Sequence, residues 1–314
     1  MSGDLLPWAV LALVVGGMLV LDLLIVHRRA KAIPFKQAAV WSAVWVGLAL
    51  SFGAFVAWSR GGASAGEYIA GYLIELSLSV DNVFVFAVIF ASFAVPAAYQ
   101  HRLLFWGILG AIVFRAIFIA GGLALLDAAH WVIYLLGVIL VVTGIRLAVS
   151  RGHAVAPEQN PVLRLFRRVV PMSDGYRGPA LLVREGGRRL ATPLLAVLVA
   201  IETTDIMFAL DSIPAVFAVT TDPLIVFSSN LFAILGLRSL YFLLAGLIER
   251  FEYLKYGLAA LLAFAGMKML LSDVFHIDVW VSLGIIVGIL LISVVVSLLA
   301  TRDRGVPEQT PPTG

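Results

Sequence analysis

Residues 75–86 read ELSLSVDNVFVF, which places Glu75, Asp81 and Asn82 inside a stretch otherwise apolar enough to lie in lipid. Whether these groups meet lipid, water or one another decides what kind of fold the chain adopts. Composition settles the environment first. The 314 residues are 61% hydrophobic and 13% charged, with a mean hydropathy of +1.03. Ordinary soluble domains carry about 25% charged residues. The chain therefore reads as an all-α polytopic membrane protein. Apolar runs of about 17 to 25 residues can cross a bilayer, and nine recur here: 8–26, 38–58, 67–93, 103–125, 131–149, 192–218, 223–248, 256–272 and 278–299.

Orientation follows from lysine and arginine, which are retained in the cytoplasm when they flank spans. With the N-terminus outside, the cytoplasmic segments hold 17 of them against Arg60 alone in the outer segments. The expectation is about nine transmembrane helices, N-out and C-in. The first run lacks a basic leader, and its positive charges follow it, so it does not read as a cleavable signal peptide. The net charge of +3 serves topology and gives no reason to expect a nucleic-acid partner. The partner implied is the lipid bilayer. With no cysteine, disulfides, thiolate metal sites and thiol chemistry are excluded. His27, His101, His130, His153 and His276 fall in loops or at span ends, which argues against a buried imidazole site.

The long connection 150–191 carries eight arginines against three acids. Within it, ALLVREGGRRLATP reads as two short strands about a Gly-Gly turn. NPVLRLFRRVV reads as a short basic amphipathic helix on the membrane surface. The plainest account of this connection is a solvated topology determinant that touches anionic lipid. The tail 300–314 reads as disordered.

A charged side chain at midspan costs at least about 2.5 to 3.5 kcal/mol on insertion scales, so Asp81 needs a partner. The sixth run offers one in IETTDIMFALDSIP, with Glu202, Asp205 and Asp211. Glu75 and Asp81 are six apart, as are Asp205 and Asp211, and each second acid precedes a small polar residue, Asn82 or Ser212. The next run in each case bears a central arginine, Arg115 or Arg238. An acid-bearing span followed by an arginine-bearing span thus occurs twice, in opposite directions. That is the signature of an inverted repeat with its ion site at the midplane. The organisation read from this is 1–66, two N-terminal helices; 67–149, first repeat of three helices; 150–191, basic loop; 192–272, second repeat; 278–299, last helix; and 300–314, tail.

At about 100° per residue, Glu75, Ser79 and Asn82 share a face, with Asp81 one step round. Glu202 and Asp205 share a face at i, i+3, whereas Asp211 lies on another azimuth. Pro214 removes the bond to the Leu210 carbonyl and is expected to open the turn that holds Asp211. The five acids carry five negative charges and the two arginines compensate two. The remainder predicts bound cations, protons or both. Carboxylate, carboxamide and hydroxyl oxygens favour magnesium, calcium or manganese over zinc or copper. The metal is substrate, and no permanently bound cofactor is implied.

Plainer readings compete with these. The acids and arginines could form structural ion pairs alone. Near span ends, Asp22 reads as snorkelling or pairing locally, and Lys268 as snorkelling. Asn230, Thr203 and Thr204 read as interhelical hydrogen-bond partners. No GxGD, HExxH or intramembrane Ser–His pair is present, so the chain does not read as an enzyme.

ELSLSVDNVFVF, QHRLLFWGILGAIVFRAIFI, ETTDIMFALDSIPAVFAVTTDP and SNLFAILGLRSLYFLL closely resemble the TerC family, the tellurium-resistance protein C and Alx group, from about residue 21 to 279. The resemblance implies a LysE-like exporter built from inverted three-helix repeats, associated with manganese export and with tellurite or alkaline-pH responses. It implies metal ligation by Glu75, Asp81 and Asn82 from one copy and by Glu202, Asp205 and Asp211 from the other, with Arg115 and Arg238 compensating charge. Leu76 stands where family members often carry lysine. The function expected is a divalent metal exporter, manganese foremost, in a bacterial-type plasma membrane, working by alternating access with proton coupling. The alternative is a non-transporting scaffold or metal sensor in a tellurite or stress-resistance complex.

Overall fold

The computed structural model describes residues 5–26, 35–149, 161–185, 187–244, 254–275 and 277–303. Its elements are α1 (Leu5–Val26), α2 (Phe35–Arg60), α3 (Gly62–Ser92), α4 (Ala97–Ala128), α5 (Val132–Val149), α6 (Pro161–Val169), β1 (Leu182–Glu185), β2 (Arg188–Ala191), α7 (Pro193–Phe217), α8 (Pro223–Leu244), α9 (Leu254–Leu270) and α10 (Val279–Asp303). A helix stands at each apolar run read from the sequence. Seven of them, α2, α3, α4, α5, α7, α8 and α10, are long and apolar enough to cross a membrane, and α1 adds a shorter apolar stretch over Leu5–Val20. The chain is a polytopic all-α membrane protein. His27, His153, His276 and the tail from 304 lie outside the described residues.

Local chemistry sets the breaks between helices. Gly61, at φ 91°, turns the chain between α2 and α3, a conformation glycine adopts without the Cβ penalty. Proline opens α7 and α8, where the absent N–H costs nothing. The Asp222 carboxylate accepts from the N–H groups of Leu224 and Ile225 and caps α8.

In the packing, α3 lies against α8, α2, α7 and α10, α4 against α7 and α8, and α5 along α9. The α5–α9 pair is close enough to exclude side chains. A Cβ added at Gly266 would sit 2.6 Å from the Gly137 carbonyl oxygen, and one at Gly144 would sit 2.8 Å from that of Ala259. Small residues at such crossings let backbones meet where lipid supplies no hydrophobic driving force.

Polar ties gather at the helix ends. Arg60 closing α2 pairs with Asp222 at 2.6 Å, and Thr220 donates to Glu67 of α3 at 2.7 Å. At the opposite end of α3, Tyr176 donates to the Phe93 carbonyl at 2.5 Å. Lys268, near the end of α9, donates to Ser282 in the first turn of α10 at 2.9 Å. Asp22 side-chain placement is outside the description.

The connection before α7 is more than a solvated charge carrier. The two expected strands pair antiparallel, Leu182 with Ala191 through Glu185 with Arg188, and the expected basic helix is α6. Leu163 of α6 is fully buried in a cluster with Phe86, Phe90, Leu104 and Ile201. Its burial fastens the connection to the ends of α3, α4 and α7.

Candidate functional site

The most enclosed positive charge in the described residues is Arg115, 2% exposed at mid-α4. Its Nη1 donates to Glu75 Oε2 at 2.7 Å and to Ser212 Oγ at 3.1 Å. Its Nε and Nη2 donate to Asp205 Oδ2 and Oδ1, both at 3.2 Å, a bidentate fork. Asn230 on α8 donates to the remaining Glu75 oxygen, Oε1, at 2.6 Å. Glu75 is wholly buried and Asp205 nearly so. One guanidinium from α4 therefore joins α3 to α7, and Asn230 ties in α8. A buried charge is tolerated only when paired and hydrogen-bonded, and here the arginine and both acids satisfy one another.

The other candidates stand apart from this group. Asn82 and Ser79 lie buried on the Glu75 face of α3, yet the Asn82 Oδ1 and Ser79 Oγ atoms have no hydrogen-bond partner. Asp81, half-buried one step round, makes no hydrogen bond or ion pair with a described residue. Glu202 lies one turn before Asp205, pressed on α4 at Gly110, where any Cβ would collide with its carboxylate. Its Oε2 is buried without a partner. Asp211 faces away from the Arg115 group and accepts from Thr143 of α5 at 3.2 Å. Arg238, half-buried on α8, makes no hydrogen bond to Glu75 or Asp205, so the two arginines are not equivalent.

Among the described residues no three His, Cys, Asp or Glu side chains are grouped to hold a metal in this conformation. The charge balance is local, with Arg115 between two acids and the others dispersed. Two other sequence expectations are corrected. Pro214 does not open the turn at Asp211, because α7 is continuous to Phe217. It sits in the last turn, where only one backbone bond is lost, and Leu210, whose carbonyl loses it, lies on an exposed part of the helix. Thr203 and Thr204 do not bridge helices but bond to the carbonyls of Val199 and Ala200 in their own helix, a common way for midspan hydroxyls to be satisfied. Asn230 does act across helices, on Glu75. Thr143 escaped the sequence reading, although a lone threonine in the middle of the apolar α5 was the available signal.

The group is sealed. The cavity beside Asp205, bounded by Phe86, Leu104, Ile201 and Leu237, holds about 10 Å³, at the lower limit for a single water. Chemically, the arrangement is a pair of carboxylates from α3 and α7 holding one cation, with unsatisfied amide and hydroxyl oxygens further along α3.

Comparison with known proteins agrees with this architecture. Residues 60–305 match the model of the integral membrane protein TerC family. A relative from Myxococcus xanthus, "Uncharacterized membrane protein STKORF319", is 52% identical over 295 residues, covering 94% of this chain and 92% of that protein. "Putative membrane-bound redox modulator Alx" of Escherichia coli (strain K12) is 48% identical over 304 residues, covering 94% and 95%. A membrane protein of Rickettsia felis is 38% identical over 294 residues, covering 94% and 98%. No solved structure matches the chain. The chain belongs to the TerC family of integral membrane proteins.

Proposed function

We propose that the chain exports a divalent cation, manganese foremost, across a bacterial-type plasma membrane by alternating access. The observation that carries this reading is the buried Arg115 cation held jointly by Glu75 and Asp205. Carboxylates from two helices hold a positive charge at midspan, and a hard divalent ion takes the same oxygens. In this cycle the ion displaces the guanidinium from Glu75 and Asp205, and Arg115 returns when the ion leaves. The arginine keeps the acids paired between turnovers, so they do not stay buried as bare charges. Asp81, Asn82 and Glu202 supply further oxygens as the helices shift, and Asp211 reports the position of α7 against α5 through Thr143.

The helix pairing supports a repeat of α3, α4 and α5 with α7, α8 and α9. The contact of α3 with α8 has its counterpart in that of α7 with α4, and α5 meets α9 directly. A symmetric pairing of this kind lets the two halves rock about a fixed site. Kinship with LysE-like exporters, the N-out orientation and a link to tellurium resistance are parts of the same proposal.

Relatives carry a name that refers to redox modulation. With no cysteine in its 314 residues, this chain has no thiol for such a role, and moving a redox-active metal ion is the route its oxygen ligands suit. The test is flux of manganese into proteoliposomes of purified protein, with calcium and magnesium as competitors. Saturable manganese flux supports export. Manganese binding without flux supports the scaffold or sensor alternative and overturns the export reading.

A further inference from the structure

Helix α6 carries more apolar surface than the protein covers. At about 100° per residue, Leu163 and Phe166 share one arc, which packs into the cluster at the ends of α3 and α7. Val162, Leu165 and Val169 fill the adjoining arc and remain 47%, 62% and 70% exposed. Arg164, Arg167 and Arg168 occupy the far side of the same helix. Thus one continuous apolar arc is half covered by protein and half uncovered, and a basic arc opposes it.

The position of the helix says what meets the uncovered half. Contacts with α7, and the Arg167 guanidinium 5.1 Å above the Phe93 ring that follows α3, place α6 at the level where two membrane-crossing helices end. There an apolar strip meets acyl chains and an adjacent arginine meets headgroups. The neighbouring hairpin adds exposed Arg184, Arg188 and Arg189. A membrane surface is the partner that offers apolar and anionic layers together at that depth.

We propose that Val162, Leu165 and Val169 enter the boundary layer of the leaflet at which α3 ends and α7 begins, and that the arginines of α6 and the hairpin gather anionic phospholipid there. Since Leu163 of the same helix fills the cluster with Phe86 and Leu104 that bounds the buried Arg115 group, lipid charge is coupled to the packing beside that group. This surface is independent of the identity of any transported ion.

The absence of cysteine makes the test direct. Full-length Leu165→Cys protein, nitroxide-labelled, is reconstituted in phosphatidylcholine vesicles with and without phosphatidylglycerol, and label collisions with oxygen and with a water-soluble nickel chelate are measured. A label at Asp174→Cys, an exposed acidic loop position outside the basic surface, serves as the aqueous control. The expected result is several-fold greater oxygen than chelate access at 165, increased by phosphatidylglycerol, with that increase lost in the Arg164→Gln/Arg168→Gln background. Free chelate access at 165 would overturn the proposal. So would shielding from both probes, which indicates a protein contact, and so would lipid contact indifferent to phosphatidylglycerol.

Discussion

Arg115 and Glu75 meet at 2.7 Å with almost no exposure on either side, and the same guanidinium forks onto Asp205. Arg115→Ala leaves two buried carboxylates without their cation, and removing one partner of such a pair costs about 3 to 5 kcal/mol. The expected outcome is a protein that unfolds at markedly lower temperature in detergent. Addition of Glu75→Gln and Asp205→Asn to the alanine variant restores part of the loss. An alanine variant as stable as the parent would show that the guanidinium is not needed to hold these acids.

Among the described residues Asp81 has no hydrogen-bond or ion-pair partner that its replacement could release. Asp81→Asn therefore keeps or raises stability, since a midspan charge is relieved, while the proposed manganese export is lost. The variant separates a ligand from a structural residue through paired measurements of melting temperature and proteoliposome flux. Unimpaired flux removes Asp81 from the site.

Much of this was legible in the sequence because membrane helices obey a coarse rule of length and apolarity. The nine runs, the 182–191 hairpin and the basic helix α6 follow from pattern alone. Glu75, Arg115 and Asp205 stood out because midspan charge is costly. Their mutual pairing was not legible, since azimuth depends on how α4 lies against α3 and α7. The different azimuth of Asp211 was visible, but its Thr143 partner was not, and Pro214 was misjudged because its distance from the helix end decides how much it disrupts. The α5–α9 crossing was equally hidden: glycines at 137, 144 and 266 declare tight contact only once the backbones are placed.

That crossing can be tested. Gly266→Ala drives a methyl group into the Gly137 carbonyl, and overpacking of this kind costs about 1 to 3 kcal/mol. Gly16→Ala, with nothing within 4 Å of its added Cβ, gains up to about 1 kcal/mol from helix propensity. Opposite shifts in thermal unfolding are expected, and equal shifts would mean that α5 and α9 are not in backbone contact.

Sidedness rests on charge. A periplasmic reporter fused after Arg60 should be active, and one fused within 152–190 should be silent. Activity at both would place the two segments on one side and remove the inverted repeat.

Proton dependence has a definite sign. Carboxylates bind a cation only when deprotonated, so manganese affinity should fall as pH is lowered and recover as it is raised, measured by competition in detergent-purified protein. Affinity that is flat with pH would exclude the acidic groups as ligands.

The order in which the Arg115 partners leave the ribosome differs. Glu75 and Arg115 are 40 residues apart, whereas Asp205 follows Arg115 by 90. During synthesis α3 and α4 can enter the bilayer as a hairpin whose acid and arginine already neutralise one another. The second half of the chain then meets a guanidinium with donors to spare, and Asp205 docks α7 onto it. Membrane insertion of the nascent chain and final assembly thus draw on the same side chain at two successive times.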